Sequence, residues 1–367
     1  MITISLCMIV RDEEEVLGRC LDSVRKLVDE IIIVDTGSRD RTKEVASAYT
    51  DQIYDFVWID DFAAARNYAF EKGRMSYLMW LDADDVIPAE EAGKFMEMKE
   101  RISDEDVIMM PYITAFDENG KASFFYYRER IVKNDAGFLF RGKVHEVIQP
   151  SGKIYYSDIP VEHRKLRVKE GGGERNLRIY EKMEKSGEYF DSRALYYYGR
   201  ELMFHEKYEK GAEILNRFLA RPDGWKENKI DAARQLAVCY YGMGEEQKAL
   251  HSLLCAFEYD VPRGEVCCDL GRHFQDREKY EQAVFWYKQA LSAKQTPETG
   301  AFVEEDCYGF LPAVSLCVCY DRLGNQKEAE RYNELAGSFK PESPYYLSNK
   351  KYFEQKAVQR NFGLHFS

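Results

Sequence analysis

The sequence lacks any apolar run near the ~20 residues that a helix needs to cross a bilayer, and it lacks low-complexity or fibrous stretches. It also lacks a basic surplus: 64 acidic side chains stand against 52 lysines and arginines, a formal charge of −12. Proteins that grip a phosphate backbone usually carry a basic face, so nucleic acid is not an expected partner. The glycine-rich loop GxxxxGK[ST] and the GxGxxG fingerprint are both missing, which removes sequence support for a kinase, an ATPase or a dinucleotide enzyme. Nine cysteines occur, but never as paired CxxC knuckles. Seven of them, Cys239, Cys255, Cys267, Cys268, Cys307, Cys317 and Cys319, fall in helical-looking sequence and read as buried, reduced thiols.

What is present is the balance of a folded soluble protein, with 45% hydrophobic and 32% charged residues. A length of 367 residues makes two domains the starting expectation. The opening "MITISLCMIVRDEE" meets charge after ten residues and has neither a basic start nor a small-residue cleavage site. It reads as a first strand, not a signal peptide, and the expected location is the cytoplasm.

Two rhythms divide the chain. Up to about residue 165, short apolar runs alternate with amphipathic segments: "ISLCMIV", "EIIIVD", "QIYDFVWI" and "YLMWLDA" read as strands, and "EEVLGRCLDSVRKL", "RTKEVASAY" and "DFAAARNYAFEKG" as helices. Such alternation implies an α/β domain with a mainly parallel, Rossmann-like sheet, and ligands of such sheets sit at the carboxyl ends of the strands. Asp12, Asp35 and the cluster Asp82, Asp84 and Asp85 all follow strand ends of this kind.

Beyond about residue 175 the pattern is wholly helical and repeats. Gly199, Ala237, Gly271 and Cys317 align as one small residue, at offsets of 38, 34 and 46, and Gly211, Ala249, Ala283 and Ala329 follow each of them by twelve positions. The middle offset equals the ~34-residue period of a tetratricopeptide repeat, and the insertions "RPDGWKEN" and "TPETGAFVEED" account for the longer ones. A helical solenoid usually offers a concave face to a partner. Between the halves, Gly171, Gly172 and Gly173 lie in a charged segment that suits either an inert linker or a flap over a site.

The chemistry centres on "YLMWLDADDVIP". Residues two apart on a strand face the same way, so Asp82 and Asp84 can aim at one point. Hard oxygen ligands of this kind suit Mg²⁺ or Mn²⁺, above all beside a diphosphate. The same acids also suit a solvated start to the helix "PAEEAGKF", where negative charge is favoured.

The context is more specific. "SLCMIVRDEEEVLGRCLDSV", "EIIIVDTGSRDRT", "DFAAARNYAF" and "WLDADD", in this order, resemble the family-2 glycosyltransferases of the GT-A type. "FRGKVHEVI", "DIPVEHRKL" and the repeats extend the likeness to roughly residue 340, towards the subgroup in which that catalytic domain is fused to tetratricopeptide repeats. The bacteriocin peptide S-glycosyltransferases of the sublancin type belong to this subgroup.

The resemblance implies roles for particular residues. Asp35, with the backbone near Val10 and Arg11, would contact the uracil of a UDP-sugar, and Arg66 the base or the diphosphate. Asp82 would sit near ribose and metal, Asp84 would be the main ligand of Mn²⁺ or Mg²⁺, and Asp85 would support them or touch the sugar hydroxyls. His163 matches a third metal ligand, although "HRK" departs from the His-x-Gly often seen there. The general base would be Glu146 or His145 of "VHE", with a loop-holding role open for either.

The expected protein is thus a metal-dependent, inverting hexosyltransferase that moves a sugar from a UDP-sugar to a peptide or protein held by the repeats. A glycan or cell-envelope acceptor, and an inactive peptide-binding scaffold, are the alternatives. The expected layout is a GT-A domain over 1–165, a linker or flap with a first helix over 166–190, about four repeats over 191–340 and a tail over 341–367. The donor sugar, the accepting atom and pairing into a homodimer stay open.

Overall fold

In "ISLCMIV", Ile4, Leu6, Met8 and Val10 enter one hydrophobic core and Cys7 enters another, because successive strand residues point to opposite faces. "EIIIVD" divides likewise, Ile31 and Ile33 to the first core and Ile32 and Val34 to the second. These segments are β1 (Ile4–Val10) and β2 (Glu30–Asp35) of the computed structural model, which describes residues 1–117, 120–165, 172–295 and 299–363. Between them, α1 (Leu17–Val24) buries Leu17, Cys20, Leu21 and Val24, the spacing of one helical face.

After β2 come α2 (Thr42–Ser47), β3 (Ile53–Asp55), α3 (Phe62–Phe70), β4 (Tyr77–Met79), β5 (Asp85–Val86), α4 (Ala92–Arg101), β6 (Val107–Phe116) and β7 (Ala122–Lys133). The pair β8 (Phe140–Arg141) and β9 (Val147–Ile148), then β10 (Ile154–Tyr156) and β11 (Val161–His163), complete this region. The strand order is β3-β2-β1-β4-β7-β6-β11-β5. Strands β3, β2, β1 and β4 run parallel, and β7 reverses against β4. The sheet is therefore mainly parallel on the side of β1, with an antiparallel β6–β7 hairpin beside it.

Two strands are shorter than their apolar runs suggest. β3 pairs only with β2, and the register ends at Asp35 opposite Asp55. Among the described residues no strand continues beside Val57 and Ile59, and both are exposed. β4 stops at Met79, so Asp82 to Asp85 form a turn where sequence periodicity suggests a strand.

The rest of the described residues are mainly helical, apart from a two-residue strand at Val303–Glu304. α5 (Gly172–Lys185) and α6 (Ser192–Phe204) are followed by α7 (Tyr208–Leu219), α8 (Lys226–Gly242), α9 (Glu246–Cys255), α10 (Gly264–Gln275), α11 (Tyr280–Ser292), α12 (Phe310–Arg322), α13 (Gln326–Phe339) and α14 (Pro344–Gly363). Of the glycine triplet, Gly171 lies outside the described residues, while Gly172 and Gly173 begin α5. The segment 341–367, read from sequence as a tail, carries α14.

By packing, the chain divides into two compact units, one built on Met1–Leu202 and the other on Met203–Thr296 and Phe302–Ser367. Helices α5 and most of α6 thus pack with the sheet, where the sequence reading starts the repeats at residue 191. Within the second unit the small residues sit at helix crossings. Ala249, Ala283 and Ala329 are fully buried, and a Cβ on Gly271 would lie 2.6 Å from the ring of Tyr287. All nine cysteines are free, and all but Cys255 are buried. No helix among the described residues is long and apolar enough to cross a membrane.

Candidate active site

The aspartates are placed by a turn that closes on itself. The Asp85 N–H donates to the Asp82 carbonyl at 3.0 Å, and the Asp82 N–H donates to Asp85 Oδ2 at 2.9 Å. β5 then pairs with β11 so that His163 lies directly opposite Asp85. Strand register, not sequence proximity, brings this histidine in. Its Nδ1 lies 3.2 Å from an oxygen of Asp84 and 3.2 Å from one of Asp85, and 2.9 Å from the Tyr112 hydroxyl. Among the described residues, Asp84, Asp85 and His163 are the group whose ligand atoms fall within 4.8 Å of one another. Two carboxylates and an imidazole form a donor set that suits Mn²⁺ or Mg²⁺ with further oxygens from a diphosphate.

Asp82 faces elsewhere. Its Oδ1 accepts from Arg66 Nη2 at 2.6 Å, and Arg66 Nε reaches Glu146 Oε1 at 2.5 Å. One guanidinium from α3 thus ties the aspartate turn to the VHE segment, 80 residues later in sequence. Burial alone would lift the Asp82 carboxyl, but Arg66 and then Arg130 hold it well below the usual carboxylate range. Burial pulls the His163 imidazole down, yet its hydrogen bonds to Asp84 and Asp85 raise it to about 9 in the metal-free protein.

Arginines from β7 complete the charge balance. Arg130 and Asp85 are both inaccessible to solvent and meet at 3.0 Å. The guanidinium lies 4.0 Å from the Trp80 ring centre and 4.2 Å from that of Tyr112. Arg66 and Arg128 also stack on Trp80, at 4.6 and 4.7 Å. Sequence reasoning passed over these residues. Their signal lay in "YYRERIVK", where Arg128 and Arg130 fall two apart within a strand rich in aromatic residues.

Other expected residues fall around this core. Asp35 is buried, and its carboxylate accepts the backbone N–H groups of Gly37 and Ser38, each at 3.0 Å. The Val10 carbonyl accepts from the Thr36 N–H at 2.9 Å, while Arg11 is half exposed beside Asp12. His145 adopts a φ of +52°, in the left-handed region. Its Nε2 lies 2.7 Å from Glu201 Oε1 on α6, and its ring stacks on Tyr197 with centroids 4.3 Å apart. No sequence signal marked Glu201, which lies in what reads as the first repeat.

Residues 5–157 match the family described as Glycosyl transferase family 2. Among curated proteins, a TPR repeat-containing protein of Synechococcus elongatus is 34% identical over 151 residues, covering 41% of this chain and 36% of that protein. The SPbeta prophage-derived glycosyltransferase SunS of Bacillus subtilis is 26% identical over 232 residues, covering 59% and 53%. The lipopolysaccharide core biosynthesis glycosyltransferase LpsC of Rhizobium meliloti is 24% identical over 159 residues, covering 41% and 58%. The chain thus spans between about a third and three-fifths of the length of these relatives. Among solved structures, MamA aligns with 51% of this chain and 93% of its own at a TM-score of 0.37 and 16% identity. The tetratricopeptide protein YrrB aligns with 49% and 84% at a TM-score of 0.37 and 18% identity. Scores this low carry no conclusion.

Proposed function

We propose, from the match of residues 5–157 to glycosyl transferase family 2, that the chain moves a hexose from a UDP-sugar to a peptide or protein acceptor held by its helical repeats. The observation that carries this reading is the continuous ionic chain Asp82–Arg66–Glu146 beside the Asp84, Asp85 and His163 cluster. That arrangement supports a diphosphate-type donor site with a proton acceptor beside it.

In the reaction, an acceptor heteroatom forms a bond to the anomeric carbon from the face opposite the diphosphate. The bond from that carbon to the diphosphate oxygen breaks, and its electron pair leaves with UDP. The acceptor's proton passes to the VHE pair. Arg66 contributes a buried Nη1 that has no hydrogen-bond partner among the described residues, a donor suited to a phosphate oxygen. Asp35 supports the turn beside the uracil position, together with the backbone of Val10 and Arg11. Asp84, His163 and the Oδ1 of Asp85 would hold the metal. When bound, Mn²⁺ or Mg²⁺ supplies positive charge against the leaving diphosphate.

Glu146 has Oε1 tied to Arg66, whereas His145 keeps a side chain 31% exposed. His145 is therefore the better placed base, and Glu146 orients Arg66. A thermal-shift panel of UDP-glucose, UDP-galactose and UDP-N-acetylglucosamine with Mn²⁺ or Mg²⁺ tests the reading, because a ligand of the native state raises its stability. At least one pair should stabilise the protein and be hydrolysed slowly; a flat panel for all of them overturns it.

A second reading keeps the transferase and makes the acceptor a glycan. The likeness to the Rhizobium lipopolysaccharide core enzyme favours it. Recovering labelled sugar in lysate glycan instead of protein would select this reading.

A further inference from the structure

The VHE histidine has a partner that the transferase motif does not include. His145 Nε2 lies 2.7 Å from Glu201 Oε1, and the Glu201 side chain is nine-tenths buried. Asn176 of α5 donates to the same oxygen at 3.2 Å. A carboxylate only accepts, so the hydrogen in this contact belongs to Nε2. Nδ1 is then the ring nitrogen with the lone pair, and it takes no protein hydrogen bond among the described residues.

The backbone around the ring is held just as firmly. His145 sits in the left-handed region that non-glycine residues avoid, with φ at +52°, a conformation that surrounding contacts must impose. Those contacts come largely from α5 and α6. Arg193 Nε donates to the His145 carbonyl at 3.1 Å, and the Tyr180 hydroxyl donates to the Val144 carbonyl at 3.4 Å. Tyr197 lies almost parallel to the imidazole, at 13°. The next residue, Glu146, reaches Arg66 and through it Asp82. His145 is thus the chain neighbour of a residue bonded to Arg66.

We infer that Glu201 is the positioning residue for His145, fixing the tautomer whose Nδ1 takes the acceptor's proton. This rests on the transferase reading above. The proton leaves the attacking heteroatom and arrives at Nδ1, while Nε2 keeps its own hydrogen. Glu201 keeps accepting from Nε2–H and stabilises the imidazolium that forms. A helix that the sequence assigns to the first repeat thereby completes the base, and Arg193 and Tyr197 set its angle. The catalytic machinery extends beyond the residues that match the transferase family.

The test uses the full chain with ¹⁵N-labelled histidine, the His145 ring signals being identified by their loss in His145→Phe. The wild type should show Nε2 protonated and Nδ1 bare at pH 8. In Glu201→Leu this pattern should give way to a mixture of tautomers; an unchanged pattern overturns the proposal. In Glu201→Gln, hydrolysis of whichever UDP-sugar turns over should lose at least about tenfold in kcat at a KM within twofold of wild type. A kcat within twofold of wild type overturns it equally. If no UDP-sugar turns over in the wild type, the transferase reading fails, while the ring spectra still decide whether Glu201 sets the tautomer.

Discussion

Arg130 and Asp85 meet at 3.0 Å with neither side chain reachable by solvent. This pair answers the electrostatic problem of three aspartates at one turn: Arg130 faces Asp85, Arg66 faces Asp82, and His163 lies between Asp84 and Asp85. The turn is largely balanced by the protein's own cations. A metal held as proposed by Asp84, Asp85 and His163 would add to a site that is already organised.

Arg130→Met should be strongly destabilising, because it leaves Asp85 buried and unpaired. Breaking such a pair from one side costs about 3–5 kcal/mol. Arg130→Met combined with Asp85→Leu should recover much of the loss. Urea unfolding of the two single variants and the double variant measures the coupling.

The two ends of the aspartate turn should separate by function. Asp84→Ala and His163→Ala should abolish the rise in melting temperature produced by Mn²⁺, since both lie in the cluster of ligand atoms. Asp82→Asn should keep the Mn²⁺ response and lose affinity for the UDP-sugar, since its carboxylate engages Arg66. Calorimetry with the metal alone, then with metal and UDP, distinguishes the two losses.

Glu30 predicts an acid-sensitive step. Burial pushes this carboxyl up, but hydrogen bonds from the Ser5 hydroxyl, the Arg74 backbone and Gln52 outweigh burial and hold it below its ordinary value. The folded value is depressed, so its stabilisation is complete above the unfolded value, about 4.3 for glutamate, and is lost as pH falls through the folded value. Melting temperature should fall more steeply below pH 4.5 in the wild type than in Glu30→Gln.

Gly271→Ala weighs helix propensity against packing. Alanine gains about 1 kcal/mol over glycine inside a helix. The added Cβ would lie 2.6 Å from the ring of Tyr287, which is buried and cannot swing away. Overpacking of this kind costs about 1–3 kcal/mol, so the variant should be less stable than the wild type. Paired with Tyr287→Leu, the same change should be close to neutral; denaturant midpoints decide it.

Much of the fold is local and was legible for that reason. The two-residue period of "ISLCMIV" and "EIIIVD" and the twelve-residue spacing of small residues in the repeats are both set by backbone geometry, which neighbouring side chains cannot change. The ends of β3 and β4 were not legible. Strand length depends on whether a partner strand continues alongside, and among the described residues none continues beside Val57 and Ile59.

By itself, the sequence determined the candidate residues Asp82, Asp84, Asp85, Arg66, His145, Glu146 and His163, and a motif order that resembles a known transferase family. It could not determine who pairs with whom. Only the tertiary structure sets His163 across from Asp85, directs Asp82 to Arg66, buries Arg130 and brings Glu201 to His145. Each of those pairings joins residues far apart in the chain, through strand register or helix docking. Charge balance in a buried site depends on distances of a few ångströms, and distances of that kind exist only after the elements have packed.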